Sequence, residues 1–126
     1  MNELVEEWLA KAEEDWAAAR ILLADDCPPV TPSLFHMQQC AEKLLKALLI
    51  KKEIPFERRH DLSYLLHLSG ESVLKTQSNL LSALNPFAVE IRYPGDLPQF
   101  SVNEASLLLN DLGEFRDSLI HLIHKK

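Results

Sequence analysis

The sequence predicts an all-α fold, an up-and-down bundle of four long helices plus one short helix. Three observations carry that expectation. Apolar residues recur at three- and four-residue spacing along most of the chain. Proline and glycine gather mainly between those stretches, and Gly accounts for only 3 of 126 residues. Nowhere do apolar and polar residues alternate as in a half-buried strand, and no internal repeat competes.

The first helix is expected over residues 3–25, where Val5, Trp8, Leu9, Ala12, Trp16, Ala19 and Leu23 repeat at helical spacing until Cys27, Pro28 and Pro29 stop it. The second opens with Thr31 as N-cap and Pro32 at the first helical position, and runs to about Glu53 before Pro55. At 100° per residue, Leu34, Met37, Ala41, Leu44, Leu45 and Leu48 share one broad face, with His36, Gln39, Lys43 and Lys46 opposite. Gln38 and Glu42 fall on the boundary. An unpaired amide or carboxylate there would cost about 1–3 kcal/mol if buried, so both should face a partner, a ligand or each other.

A loop from Pro55 to Arg59 leads to Asp61, which can cap a short third helix over residues 62–69. That helix turns Leu62, Leu65 and Leu66 inward and ends near Gly70. The fourth helix carries Val73, Leu74, Gln77, Leu80, Leu81, Leu84, Phe87, Ala88 and Ile91, with Pro86 placed to kink or split it. Arg92 to Pro98, with two prolines and a glycine, forms the main non-helical segment. The last helix opens on a capping box, Ser101 with Glu104, and buries Ala105, Leu108, Leu112, Phe115, Leu119 and Leu122.

The length fits one domain, residues 1–126, able to bury roughly two-thirds of its unfolded surface without a metal or disulfide. No apolar run approaches the roughly 18–20 residues of a bilayer span, so no membrane association is expected. The acidic N-terminus lacks the basic start of an export signal; a cytoplasmic location with Cys27 and Cys40 reduced is the expectation. Net charge is −6, unevenly spread: residues 1–26 hold eight acids against Lys11 and Arg20. Residues 43–60 are locally basic, with Lys43, Lys46, Lys51, Lys52, Arg58 and Arg59 against Glu53 and Glu57. An acidic whole argues against salt-driven binding to duplex DNA, and the basic stretch reads either as a phosphate-attracting patch or as a solvated helix end whose Lys51 and Lys52 favour the C-terminal dipole. No Gly-rich phosphate loop is present. Cys27, His36 and Cys40 lack an evident fourth ligand for zinc, so neither metal nor cofactor is expected. Trp8 and Trp16 read as core or dimer-interface residues rather than base-stacking platforms.

Four segments, in this order, resemble a known family. They are Phe35-His36-Met37-Gln38-Gln39-Cys40-Ala41-Glu42-Lys43 with Leu45-Lys46-Ala47-Leu48-Leu49, then His60-Asp61-Leu62, then Arg92-Tyr93-Pro94 before a final helix, with Trp8 and Lys11-Ala12-Glu13-Glu14-Asp15 in the first. Together, over residues 6–120, they resemble the HEPN domain (higher eukaryotes and prokaryotes nucleotide-binding) in its single-domain prokaryotic form. The resemblance implies a helical bundle that forms a homodimer, usually encoded beside a minimal nucleotidyltransferase. It also implies that some relatives are metal-independent endoribonuclease toxins. Their signature is an arginine, four to six residues and a histidine leading into the last core helix. Such a histidine can move protons near neutral pH while the arginine stabilises charge on the phosphate.

The sequence departs from that signature. After Arg92 come Tyr93, Pro94, Gly95, Asp96, Leu97, Pro98 and Gln99, with no histidine in range. Arg116 and His121 satisfy the bare spacing but stand about 140° apart on one helix; Arg116 is expected to be solvated, with His121 and His124 near the negative end of the dipole. His60 is the best substitute and His36 the second, each with a structural or merely exposed alternative. Arg92 either binds an anion or salt-bridges Glu90, Glu42 or Asp61.

The expected ligand-binding set is therefore Gln38, Gln39, Glu42, Lys43, Lys46, His60, Asp61, Arg92 and Tyr93, forming an anion-attracting notch where subunits meet. Three functions follow. The first is a homodimeric nucleotide- or RNA-binding interaction module, partner of a minimal nucleotidyltransferase in a toxin–antitoxin-like pair. The second is an endoribonuclease using Arg92 with His60 or His36. The third is a helical scaffold in which Gln38 and Gln39 complete a dimer seam. Dimerisation gains one physical argument, since apolar residues cover more of the second helix than a neighbouring pair of helices usually hides.

Overall fold

The second helix is the axis of the molecule. In this computed structural model, which describes residues 2–72, 77–88 and 95–125, α2 (Val30–Lys51) is buried at every position from Leu44 to Leu49. Around it pack α1 (Glu3–Leu23), α3 (Leu62–Ser69), α4 (Ser78–Leu84), a 3-10 turn (Asn85–Ala88) and α5 (Val102–His124). No strand occurs among the described residues. The all-helical expectation holds, and the wide apolar circumference of α2 is covered within the chain, so that feature does not by itself require a second subunit.

Local chemistry sets most boundaries. Asn2 caps α1 by accepting from the Leu4 N–H at 2.7 Å. Asp61 caps α3 by accepting from the Ser63 and Tyr64 N–H groups, and Gly70, at φ 67°, closes it in the left-handed conformation that costs glycine nothing. Ser101 and Glu104 form the expected capping box at the head of α5. Thr31 is not the cap of α2. That helix starts from Pro29, whose carbonyl accepts from Ser33 at 3.2 Å, and Pro32 stands at the third helical position. An N–H there would have no intrahelical acceptor, so the proline costs the helix nothing. Pro86 falls inside the 3-10 turn, where α4 ends as expected of a proline that splits a helix. Val73, Leu74 and Ile91, also assigned to the fourth helix, lie outside the described residues, as do Glu90, Arg92, Tyr93 and Pro94.

Side-chain contacts fix the directions. The Ser33 hydroxyl donates to Ala19 O at 3.1 Å, and the Lys46 ammonium lies 5.5 Å from the Trp8 ring, so α1 and α2 are antiparallel. Arg116 grips Glu13 through two hydrogen bonds of 2.8 and 2.9 Å while Gly113, one turn earlier, abuts Trp16, one turn later on α1, so α5 is antiparallel to α1 as well. Arg116 is thus not solvated but paired, and it lies over Trp16 at 5.5 Å. Gly113 makes room for that indole: a Cβ there would sit 3.2 Å from Trp16 Cη2. Within α5, Ile123 is fully buried while Leu108 and Leu122 are only half-buried.

The two lysines at the end of α2 serve neighbouring helices rather than their own. Lys51 donates to Leu122 O at 3.0 Å and to Lys125 O, at the end of α5. Lys52 donates to Ser69 O at 2.7 Å, at the end of α3, and pairs with Glu71. Both therefore favour a C-terminal dipole, as their type allows. They also align the C-termini of α2, α3 and α5 at one end of the bundle.

Candidate functional site

Between α2 and α3 the chain makes a long connection that returns to the middle of α2, and this return builds the site. Glu53 turns the corner at φ 59°, and the Ile54 N–H closes the helix end on Leu49 O at 2.9 Å. The segment is then tied to α3: the Tyr64 hydroxyl accepts from the Glu57 N–H at 3.0 Å, and the Arg59 guanidinium lies 4.0 Å over the Tyr64 ring. Asp61 is held by its cap and by the Asn85 amide at 3.3 Å, while Asn85 accepts from the Leu62 N–H at 2.9 Å. Asp61 therefore acts as a structural cap that fixes where His60 emerges.

His60 arrives beside a polar row on α2. Its Nδ1 lies 3.1 Å from both Glu42 oxygens, and its carbonyl accepts from Gln38 Nε2 at 3.2 Å. Gln38 also donates to Glu42 at 3.2 Å and accepts from Gln39 at 2.7 Å. Lys46 donates to Glu42 at 2.9 Å. Gln38 is fully buried, Glu42 and Lys46 nearly so, and no buried side-chain polar atom among the described residues lacks a partner. Gln38 thus completes a network inside the chain, not a seam between subunits. Lys46 does not share the wet face of His36 and Gln39; its long stem is buried and only the ammonium reaches the carboxylate. Burial pushes the Glu42 carboxyl up, but hydrogen bonds from Lys46, Gln38 and His60 outweigh it and hold the group below its ordinary value.

Lys43 and His36 belong elsewhere. Both turn to Asp15 on α1, with Lys43 Nζ at 2.5 Å and His36 Nδ1 at 2.8 Å from its two oxygens. Asp15 was not among the expected site residues; nothing local marks a carboxylate on α1 as the partner of residues more than 20 positions away. Burial, with Asp15 and Glu13 nearby, pushes the Cys40 thiol well above its ordinary range, so it stays protonated and unreactive. Cys27 is exposed in the turn after α1, whereas Cys40 is buried on α2.

Beside the Gln38–Glu42–Lys46–His60 network opens a cavity of about 430 Å³, lined by Trp8, Lys46, Phe56, Arg58 and His60. Trp8, Phe56 and Arg58 were missed as site residues. Trp8 is half-buried and walls this cavity, and Phe56 faces it from the returning loop. The signal for Arg58 was its place in the basic stretch. Within that stretch Lys43, Lys46, Lys52 and Arg59 find carboxylates and Lys51 finds carbonyls, while Arg58 has no ion pair among the described residues. Arg92 and Tyr93, the remaining expected site residues, lie outside the described residues, and with them the notch expected around Arg92.

An all-helical bundle wrapped on one central helix, with a buried polar row reaching a surface cavity, defines a class of small helical modules. The chain matches the model of the HEPN domain over residues 5–122, and it belongs to that family. A crystal structure described as that of ST0689, an archaeal HEPN homologue, superposes with a TM-score of 0.76 over 98% of this chain and 99% of that one, at 24% identity, and so shares the fold. A protein of Methanocaldococcus jannaschii named "Putative toxin MJ1304" is 45% identical over 56 residues. That stretch is 44% of this chain and only 35% of the relative's length. No described helix is long and apolar enough to cross a membrane.

Proposed function

We propose that this chain is a homodimeric HEPN module that binds RNA or a nucleotide and works with a minimal nucleotidyltransferase in a toxin–antitoxin-like pair in the cytoplasm. The observation that carries the reading is the cavity itself. A cation without an ion pair among the described residues, Arg58, stands beside a histidine and a lysine that a buried carboxylate holds in place. Family membership and the name of the M. jannaschii relative support the setting. Self-association has its own support in Ile21, 71% exposed, which lines a separate hollow of about 590 Å³ between α1 and α5.

A second reading, a metal-independent endoribonuclease, is favoured by one detail. Glu42 engages His60 Nδ1, which leaves Nε2 as the nitrogen available to a ligand, as in orienting carboxylate–histidine pairs of general acid–base sites. Arg92 would be its partner in that chemistry.

One experiment tests both readings: size-exclusion chromatography with light scattering, on the chain alone and mixed with a single-stranded RNA 20-mer without divalent metal. The module reading expects twice the 14.4 kDa chain mass, co-elution with RNA, and RNA recovered at full length. RNA recovered in fragments, with cleavage lost in His60→Gln, establishes the nuclease instead. A 14.4 kDa particle that leaves the RNA unbound overturns both dimer and module.

A further inference from the structure

We propose that the cavity lined by Trp8 and Phe56 receives one unpaired nucleobase together with its phosphate, the base against this aromatic surface and the phosphate at Arg58. The inference rests on the module reading above and names what that module's cavity holds.

Three elements converge to make the cavity: α1 supplies Trp8, α2 supplies Lys46, and the loop before α3 supplies Phe56, Arg58 and His60. The Lys46 ammonium lies 5.5 Å from the Trp8 ring centroid and 5.9 Å from that of Phe56, so two aromatic rings flank one cation at the floor. That ammonium gives one hydrogen bond to Glu42, and an ammonium carries three donors. The others remain for acceptors such as the oxygen and ring nitrogen along a base edge. At about 430 Å³ the space falls within the roughly 300–1,000 Å³ of small-ligand sites, and matches a single nucleotide rather than a longer helix or peptide.

Charge selects the ligand further. Glu42 offsets Lys46 and engages His60, whereas Arg58 has no carboxylate among the described residues. The lining thus carries one uncompensated positive charge next to aromatic surface. A simple anion would leave both rings unused, and a neutral aromatic would cover Arg58 without pairing it, at the cost of desolvating a charge. A base with its phosphate satisfies both halves. Base stacking on aromatic side chains tolerates any base, which suits a site with few directional polar groups.

Two sources offer this chemistry: a free mononucleotide, or an unpaired residue in an RNA strand. Isothermal titration of the full chain with AMP, adenosine, ribose 5-phosphate and a single-stranded RNA 10-mer separates them. Variants Phe56→Leu and Arg58→Gln, each checked for helicity and melting, avoid removing the larger Trp8. Phe56→Leu should weaken AMP or RNA about tenfold, the order of one lost base stack. Arg58→Gln should weaken AMP and RNA but leave adenosine unchanged. Saturation by AMP assigns a free nucleotide, and RNA binding without AMP binding assigns a strand residue; either supports the proposal. Ribose 5-phosphate binding as tightly as AMP overturns it. RNA binding untouched by both variants overturns the cavity assignment while the module reading stands. A wild-type chain that binds neither RNA nor AMP removes both.

Discussion

Two clusters of carboxylate, histidine and lysine grip α2, one on each side. On the α1 side Asp15 holds His36 and Lys43; on the α3 side Glu42 holds Lys46 and His60. The chemistry is nearly the same, yet the first cluster joins two regular helices and the second draws its histidine from a loop. The His36 side chain is 33% exposed and that of His60 62%. The lysines reverse that order, with Lys43 at 24% and Lys46 at 10%. The α1-side cluster therefore works as a fastener at the edge of a helix pair, where all three groups retain some water. The α3-side cluster buries its ion pair, leaves its histidine in solvent, and places both beside an aromatic cavity. Nearly the same residue types fasten two helices or line a cavity according to which of them the backbone leaves open.

Removing the carboxylates should break the two clusters unequally. Glu42→Ala strands a buried ammonium and one buried amide N–H of Gln38, and is expected to cost about 3–5 kcal/mol, the range for an uncompensated buried charge. Urea unfolding followed by circular dichroism measures it. The double variant Glu42→Leu with Lys46→Met should recover much of the loss, because apolar packing replaces both charges together. A single-variant loss below about 1 kcal/mol would show that the Lys46 ammonium reaches water after all.

Asp15→Asn should cost less, about 2 kcal/mol, because Lys43 and His36 can rehydrate where they stand. The same urea assay reads it, and a double-mutant cycle with Lys43→Met isolates the pair. If Asp15→Asn proved as damaging as Glu42→Ala, the contrast between a wet staple and a dry pair would fail.

This contrast also explains what the sequence disclosed. Local signals were legible: Asp61 and Gly70 bracket α3 as expected, and Ser101 with Glu104 opens α5. Gln38 and Glu42 are four apart on one helix, so their contact was implicit in the spacing. The helical wheel failed where tertiary surroundings decide. It placed Lys46 with Lys43 on a polar face, but α2 is enclosed by four other helices and a 3-10 turn, so a long side chain had to find a carboxylate inside. Nothing near Arg116 in sequence marks it as paired, because Glu13, its partner, lies 103 residues away. Phe56 and Arg58 become site residues only because a loop without helical periodicity folds back to Trp8.

The smallest of these effects separates charge from shape at Glu42. Burial pushes that carboxyl up while Lys46, Gln38 and His60 together outweigh it and hold the group below its ordinary 4.5. A group depressed on folding adds stability that is fully present above its unfolded value and is lost as pH falls through its folded value. Wild type should therefore surrender this contribution only below about pH 4.5. Glu42→Gln keeps a similar shape but has no proton to gain. Above about pH 6 the urea midpoints of wild type and variant should differ by a constant amount. Below 4.5 they should converge, because protonated Glu42 then resembles the amide. A gap that stays constant down to pH 3 would mean that the carboxylate contributes through fit alone, and the α3-side cluster would then differ from the α1-side one in exposure but not in charge.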